Sequence, residues 1–240
     1  MFDIQQIKGI IFDYGGTIDS NGMHWAEVIW KAYEEMQIPV SKADFREAYV
    51  HGERTLGKTR LVLPHHTFHD MLEIKIRLQG NWLAENKKFR SVVDIDSFTQ
   101  EIAARCYQYA HQSIDATIPV LDQLKERYPM ILVSNFYGNI EAVLEDFGLS
   151  SYFRTIVESA VVGVRKPDPE IFALGVQAME LPAENIVVIG DSHDKDIVPA
   201  TLVGCATIWL KSLGWTPYTG EEKADVIIED FKELAQVFRL

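Results

Sequence analysis

The sequence predicts an α/β fold, a parallel sheet with helices on both faces and a block of helices inserted after its first strand. Short apolar runs at 7–12, 130–134 and 186–190, rich in β-branched residues, each give way to polar residues, as strands buried on both faces do. From about residue 114 such runs alternate with helical periods, which specifies a parallel sheet. Between residues 20 and 113 the period is helical for most of its length. The expected division is 1–19 and 114–240 for the sheet-bearing part and 20–113 for the helical insert.

Taken in order, Ile7, Ile10, Ile11 and Phe12 form a strand that stops on Asp13, and Gly15 and Gly16 then turn the chain tightly. Trp25, Val28, Ile29, Ala32, Tyr33 and Met36 recur at helical spacing, and Pro39 follows the end of that helix. Ser41 caps a second helix expected to run to about Gly52. Met71, Ile74, Ile76 and Leu78 belong to a third, and a fourth starts at Asp96 or Ser97 and carries Phe98, Ile102, Ala103, Cys106 and Tyr107. Trp25, Trp30, Tyr33, Tyr49, Phe68 and Trp82 are expected in the bundle core, where aromatic residues at helical spacing usually sit.

Pro119 is expected to open a helix with Val120, Leu121 and Leu124 that leads into the strand at 130–134. A helix over 138–147, a strand over 155–158, a helix from Asp168 or Pro169 to Met179 and the strand at 186–190 follow. A helix near 197–202, strands at 206–210 and 226–228 and a closing helix complete the chain.

With 240 residues and 47% hydrophobic content, the chain suffices for one large α/β domain carrying an insertion. A net charge of −12 argues against a nucleic-acid or anionic-membrane surface, since either needs clustered Lys and Arg. The expected partner is a small molecule. Cys106 and Cys205 are far apart and have no metal-ligand spacing, so they read as buried free thiols in a reducing compartment. The N-terminal MFDIQQIKGI has no signal-peptide character and no apolar run reaches membrane-spanning length, which makes the cytoplasm the expected location. Oligomeric state is not legible in the sequence.

Four stretches place polar side chains at strand ends or helix starts, where a parallel sheet collects them on one rim. They are Asp13-Tyr14-Gly15-Gly16-Thr17, then Ser134-Asn135, then Lys166 ahead of Pro167-Asp168-Pro169, then Gly190-Asp191-Ser192 with Asp194 and Asp196 behind. In chain order these motifs resemble those of the haloacid dehalogenase-like (HAD) hydrolase superfamily, over roughly 4–19 and 115–230. The resemblance implies a three-layer, Rossmann-like core with sheet order 5-4-1-2-3, the Asp13 strand central, and a helical cap that closes over the rim and chooses the substrate. It also implies Mg²⁺ as cofactor and a small phosphorylated substrate.

The residue types fit that chemistry. A carboxylate can attack phosphorus and split one hard hydrolysis into two easier steps, and Asp13 is the expected nucleophile. A phosphoryl dianion among Asp13, Asp191 and Asp196 needs countercharge, which Lys166 and Mg²⁺ supply. Asp13, Asp191 and the Gly15 carbonyl are the expected metal ligands, with Asp196 behind them. Thr17, Ser134, Asn135 and Gly16 are the expected phosphate contacts. Asp194 and His193 are expected to be exposed.

One position departs from the family. Where its phosphatases carry an acid that protonates the leaving group, work worth roughly 10²–10⁴-fold in rate, this chain has Gly15. Leaving groups that need little protonation are then favoured. Alternatively another residue supplies the proton, and His24, just after the motif, is the candidate. Two other readings follow: a phosphonatase-like C–P hydrolase using Lys58 on the cap as a Schiff-base amine, or a non-catalytic protein that binds a phosphorylated metabolite. Halide chemistry is disfavoured because the acidic Gly-Asp-Ser motif is intact.

Overall fold

The computed structural model describes residues 3–216 and 218–240. Six parallel strands form one sheet: β1 Gly9–Phe12, β2 Met130–Ser134, β3 Thr155–Glu158, β4 Ile186–Gly190, β5 Ala206–Leu210 and β6 Val226–Ile228. Their order is β3-β2-β1-β4-β5-β6, so the predicted order of five is present with β6 added beside β5. β1 is central because its residues are apolar on both faces. Ile10 and Phe12 join the large cluster with Leu121, Ile140 and Phe231, while Ile11 packs on the other face with Ile171, Phe172 and Ala200. Every β1 side chain is buried, which is what turns a short apolar run into a strand between two helical layers.

Four helices lie between β1 and β2: α1 Trp25–Glu35, α2 Lys42–Lys58, α3 Phe68–Glu85 and α4 Ile95–Lys125. The helices that flank the sheet are α5 Ile140–Asp146, α6 Ser159–Val162, α7 Glu170–Met179, α8 Val198–Leu202 and α9 Leu234–Val237. No described helix is long and apolar enough to cross a membrane.

Two expectations about the helices are corrected. Gly52 does not end the second helix, which runs on to Lys58. A Cβ at Gly52 would lie 3.7 Å from Gln79 Cγ and 3.8 Å from the Lys75 carbonyl, so this glycine is where α2 and α3 pack closely rather than a cap. Pro119 does not open a helix either: it sits inside the 31-residue α4. Pro119 and Asp115, whose carbonyl loses its intrahelical partner, are both exposed, so the unpaired carbonyl is open to solvent.

Cys106 and Cys205 are buried and unbonded, as expected. Tyr33 and Phe68 lie in the bundle core, but Tyr49 and Trp25 do not serve the bundle alone. Tyr49 stacks on Trp215 at 5.2 Å, and Trp25 donates its indole N–H to Asp19, 2.9 Å away.

Candidate active site

The chain leaves β1 at Asp13, and the backbone N–H of Asp13 still pairs with the Ile189 carbonyl of β4 at 2.9 Å. The sheet thereby fixes the position of this carboxylate. Its Oδ1 accepts from Lys166 Nζ at 2.6 Å and its Oδ2 from the Thr17 hydroxyl at 3.0 Å. Lys166 Nζ also donates to Asp196 Oδ1 at 2.7 Å, and Asp196 Oδ2 accepts from Ser192 N at 3.0 Å. The lysine is itself held by its backbone. Asn135 Nδ2 donates to the Lys166 carbonyl at 3.0 Å, and Lys166 N donates to Asn135 Oδ1 at 2.9 Å.

Asp13, Asp191 and Asp196 each offer an oxygen within 4.8 Å of the others. Burial, with repulsion from Asp13 and Asp196, pushes Asp191 well above the ordinary carboxylate range. Burial lifts Asp13 to about 6 against the opposing pull of Lys166. Lys166 stays charged because Asp13 and Asp196 outweigh its own burial. Three carboxylates and one ammonium leave a deficit of positive charge. An all-oxygen donor set with that deficit fits a hard divalent cation such as Mg²⁺.

Gly16 has φ +102°, and a Cβ there would come within 2.5 Å of the Asp191 carboxyl carbon. The residue is glycine because the backbone is left-handed and a carboxylate occupies the space. Its N–H goes to Asp19 Oδ1 at 2.7 Å, so its contribution is room for Asp191 and a hold on Asp19 rather than a donor facing the cleft. Ser134 Oγ is buried with no partner among the described residues, as a group waiting for a ligand oxygen would be. Gly15 is different: a Cβ there meets only Asp19 Oδ2, at 4.0 Å.

Asp19 is fully buried, and burial pushes its carboxyl up to about 7. His24 caps α1, its Nδ1 accepting from Ala26 N at 3.1 Å. That bond puts the proton on Nε2. Burial, helped by Lys195, lowers the imidazole to about 4. At neutral pH His24 is therefore a neutral N–H donor and holds no acidic proton to give. His193 is buried, not exposed, between Trp209 at 5.2 Å and Tyr218 at 4.5 Å between ring centroids. Asp194 is exposed, as expected.

An open cleft of about 1890 Å³ lies over the rim and is walled by both the sheet loops and α2. Lys58 lines its cap side and is exposed. Beneath it, a smaller cavity of about 120 Å³ runs from Gly15, Asp19 and Asp191 to Glu53 and Lys75. Sequence reasoning named neither of those cap residues. Lys75 Nζ lies 2.9 Å from Glu53 Oε1, and Glu53 Oε2 accepts from the Tyr137 hydroxyl at 2.8 Å. Burial opposes charge on both. Their mutual attraction wins, holding Glu53 below and Lys75 well above the ordinary values.

The family model for haloacid dehalogenase-like hydrolases matches residues 7–204. The glyceraldehyde 3-phosphate phosphatase of Pyrococcus furiosus is 26% identical over 246 residues, spanning 98% of this chain and 94% of that protein. The phosphoserine phosphatase of Thermus thermophilus is 31% identical over 87 residues, 36% of this chain. The chain spans only about a third of the length of that relative, 34%. Among solved structures, the HAD-hydrolase YfnB of Bacillus subtilis bound to magnesium superposes with TM-score 0.62 at 18% identity, covering 98% of this chain and 99% of that one. That last likeness is one of fold.

Proposed function

We propose, from the premise that the chain belongs to the haloacid dehalogenase-like hydrolase family, that it hydrolyses a small phosphorylated metabolite through a phosphorylated Asp13. The observation that carries this reading is the meeting of the Asp13, Asp191 and Asp196 oxygens within 4.8 Å beside the buried Lys166 ammonium. An Asp13 oxygen forms a bond to phosphorus while the leaving oxygen departs with its electron pair. Water then attacks the same phosphorus, releasing inorganic phosphate and returning the carboxylate.

Lys166 keeps Asp13 ionised and adds positive charge where the phosphoryl oxygens gather. Asp196 positions Lys166 and acts through it. Thr17 orients Asp13, the unpartnered Ser134 hydroxyl has a proton to donate to a phosphoryl oxygen, and Asn135 holds the lysine's backbone in place. Asp13, Asp191 and the Gly15 carbonyl would hold Mg²⁺, which supplies countercharge to the phosphoryl dianion when bound. The phosphatases named among the relatives and the magnesium-bound YfnB agree with that class of substrate and cofactor.

No side chain at position 15 donates to the leaving group, and His24 is neutral. Esters and anhydrides that depart without a proton are therefore favoured. p-Nitrophenyl phosphate and acetyl phosphate test the reading. Hydrolysis of both, lost on Asp13→Ala and on chelation of the metal, is expected. Failure to hydrolyse either in excess Mg²⁺ would overturn it in favour of a binding protein.

A further inference from the structure

The small cavity under the cleft has a charge arrangement unlike the rim above it. At one end lie Gly15 and Asp191, and at the other Glu53 and Lys75 from neighbouring turns of α2 and α3. Position 15 has no side chain, and Gly15, His24, Glu53 and Asp191 line both this space and the cleft that holds Asp13.

Its far wall is charge-balanced. Lys75, 5% exposed, stands in the buried stripe of α3 among Met71, Leu72 and Ile76, where a charge is costly without a purpose or a partner. Its ammonium faces the rings of Tyr137 at 5.1 Å and Tyr49 at 5.8 Å. Glu53 Oε1 sits 2.9 Å from Lys75 Nζ but is buried with no directed hydrogen bond, so it retains accepting capacity. The neutral His24, its Nδ1 engaged by Ala26, has only Nε2–H to offer.

We propose that Glu53, Lys75 and His24 form a leaving-group subsite for an uncharged, hydroxyl-bearing chain, an inference that rests on the phosphatase reading for the identity of the rim. A hydroxyl both donates and accepts, so it can give its proton to Glu53 and accept from Lys75 or His24 without adding net charge. At the far wall a carboxylate on the same chain would face Glu53 and an ammonium would face Lys75, so the pair matches neither charge. The rings of Tyr49, Trp25 and Tyr137 cover the carbon side. The space of about 120 Å³ is small, which suits a short chain.

Calorimetric titration of the full chain in Mg²⁺ with glycerol 3-phosphate, n-propyl phosphate and inorganic phosphate reads this without turnover. Glycerol 3-phosphate is expected to bind at least about tenfold tighter than n-propyl phosphate, because a site built to pair hydroxyls rejects the analogue lacking them. In Glu53→Gln the ratio is expected to fall to about twofold or less. The double variant Glu53→Gln/Lys75→Met, which leaves no unpaired buried charge, should do the same and serves if the single variant fails to fold. A pair that merely ties α2 to Tyr137 would weaken all three ligands together and preserve the ratio. An unchanged ratio in the folded variant, or esters of equal affinity in the natural protein, would overturn the subsite. Loss of p-nitrophenyl phosphate turnover with the ratio intact would overturn only the reading of the rim as catalytic.

Discussion

The rim of the sheet and the wall of the cap both bury charge, but in different balance. On the rim, Lys166 stands among three carboxylates, and burial with mutual repulsion raises Asp13 to about 6 and Asp191 well above its ordinary range. On the wall, Lys75 and Glu53 neutralise each other and Tyr137 completes the set. A site short of positive charge calls for a cation and an anion to share it. A balanced one calls for a neutral polar guest. On the proposed reading, that difference distinguishes the two ends of a substrate.

Removing each lysine breaks the comparison most severely. Lys166→Met leaves Asp13 and Asp196 buried without their shared cation, a loss of about 3–5 kcal/mol in urea unfolding under metal-free conditions. Lys75→Met should cost less, about 1–3 kcal/mol, because the Glu53 side chain is 32% exposed and can hydrate. Equal losses would show that the two lysines stand in similar fields and that the rim carries no special deficit.

Next in size is the pH response of His24, the residue between the two regions. Its imidazole falls from the ordinary value of 6.5 to about 4 on folding. Between those values the unfolded chain binds the proton and the folded chain does not, so stability rises with pH across pH 4–6.5 and is lost as pH falls through that window. The full effect is roughly 3 kcal/mol. His24→Asn keeps a good cap for α1 and removes the titration, so the slope of urea stability against pH should flatten by that amount. A slope that persists would place the acid response elsewhere.

The contrast between rim and wall also marks what the sequence discloses. Strands end where apolar runs stop on Asp13, Ser134 and Gly190, so the rim residues announce themselves by position. The order of the first five strands follows from the motif resemblance. The wall was harder to see because the third helix was read from Met71, Ile74, Ile76 and Leu78, whereas its buried stripe runs through Met71, Leu72, Lys75, Ile76 and Gln79. A polar residue inside an apolar stripe was the available signal. Glu53 gave none, since its meaning depends on how closely Gly52 lets α2 approach α3. His193 looked solvent-facing beside Asp194, and only the packing of Trp209 and Tyr218 against it decides otherwise. Pro119 reads as a helix start by propensity, yet an exposed turn of a long helix tolerates it.

Gly15 joins the two regions, and filling it sharpens the comparison by the smallest step. A side chain there has room, since a Cβ meets nothing nearer than Asp19 Oδ2 at 4.0 Å. In Gly15→Asp the new carboxyl would lie close to Asp19 and over the acidic rim, surroundings that raise its pKa and keep a proton on it near neutrality. It could then protonate a departing alkoxide, which matters for n-propyl phosphate and little for p-nitrophenyl phosphate. The ratio of their kcat/KM values should move about tenfold toward the alkyl ester, a modest part of what a well-placed general acid supplies. The same side chain would narrow the passage toward Glu53, so glycerol 3-phosphate should lose its advantage over n-propyl phosphate in binding. A variant that gains no alkyl-ester turnover while still folding and binding inorganic phosphate would show that the missing acid is not what limits this site.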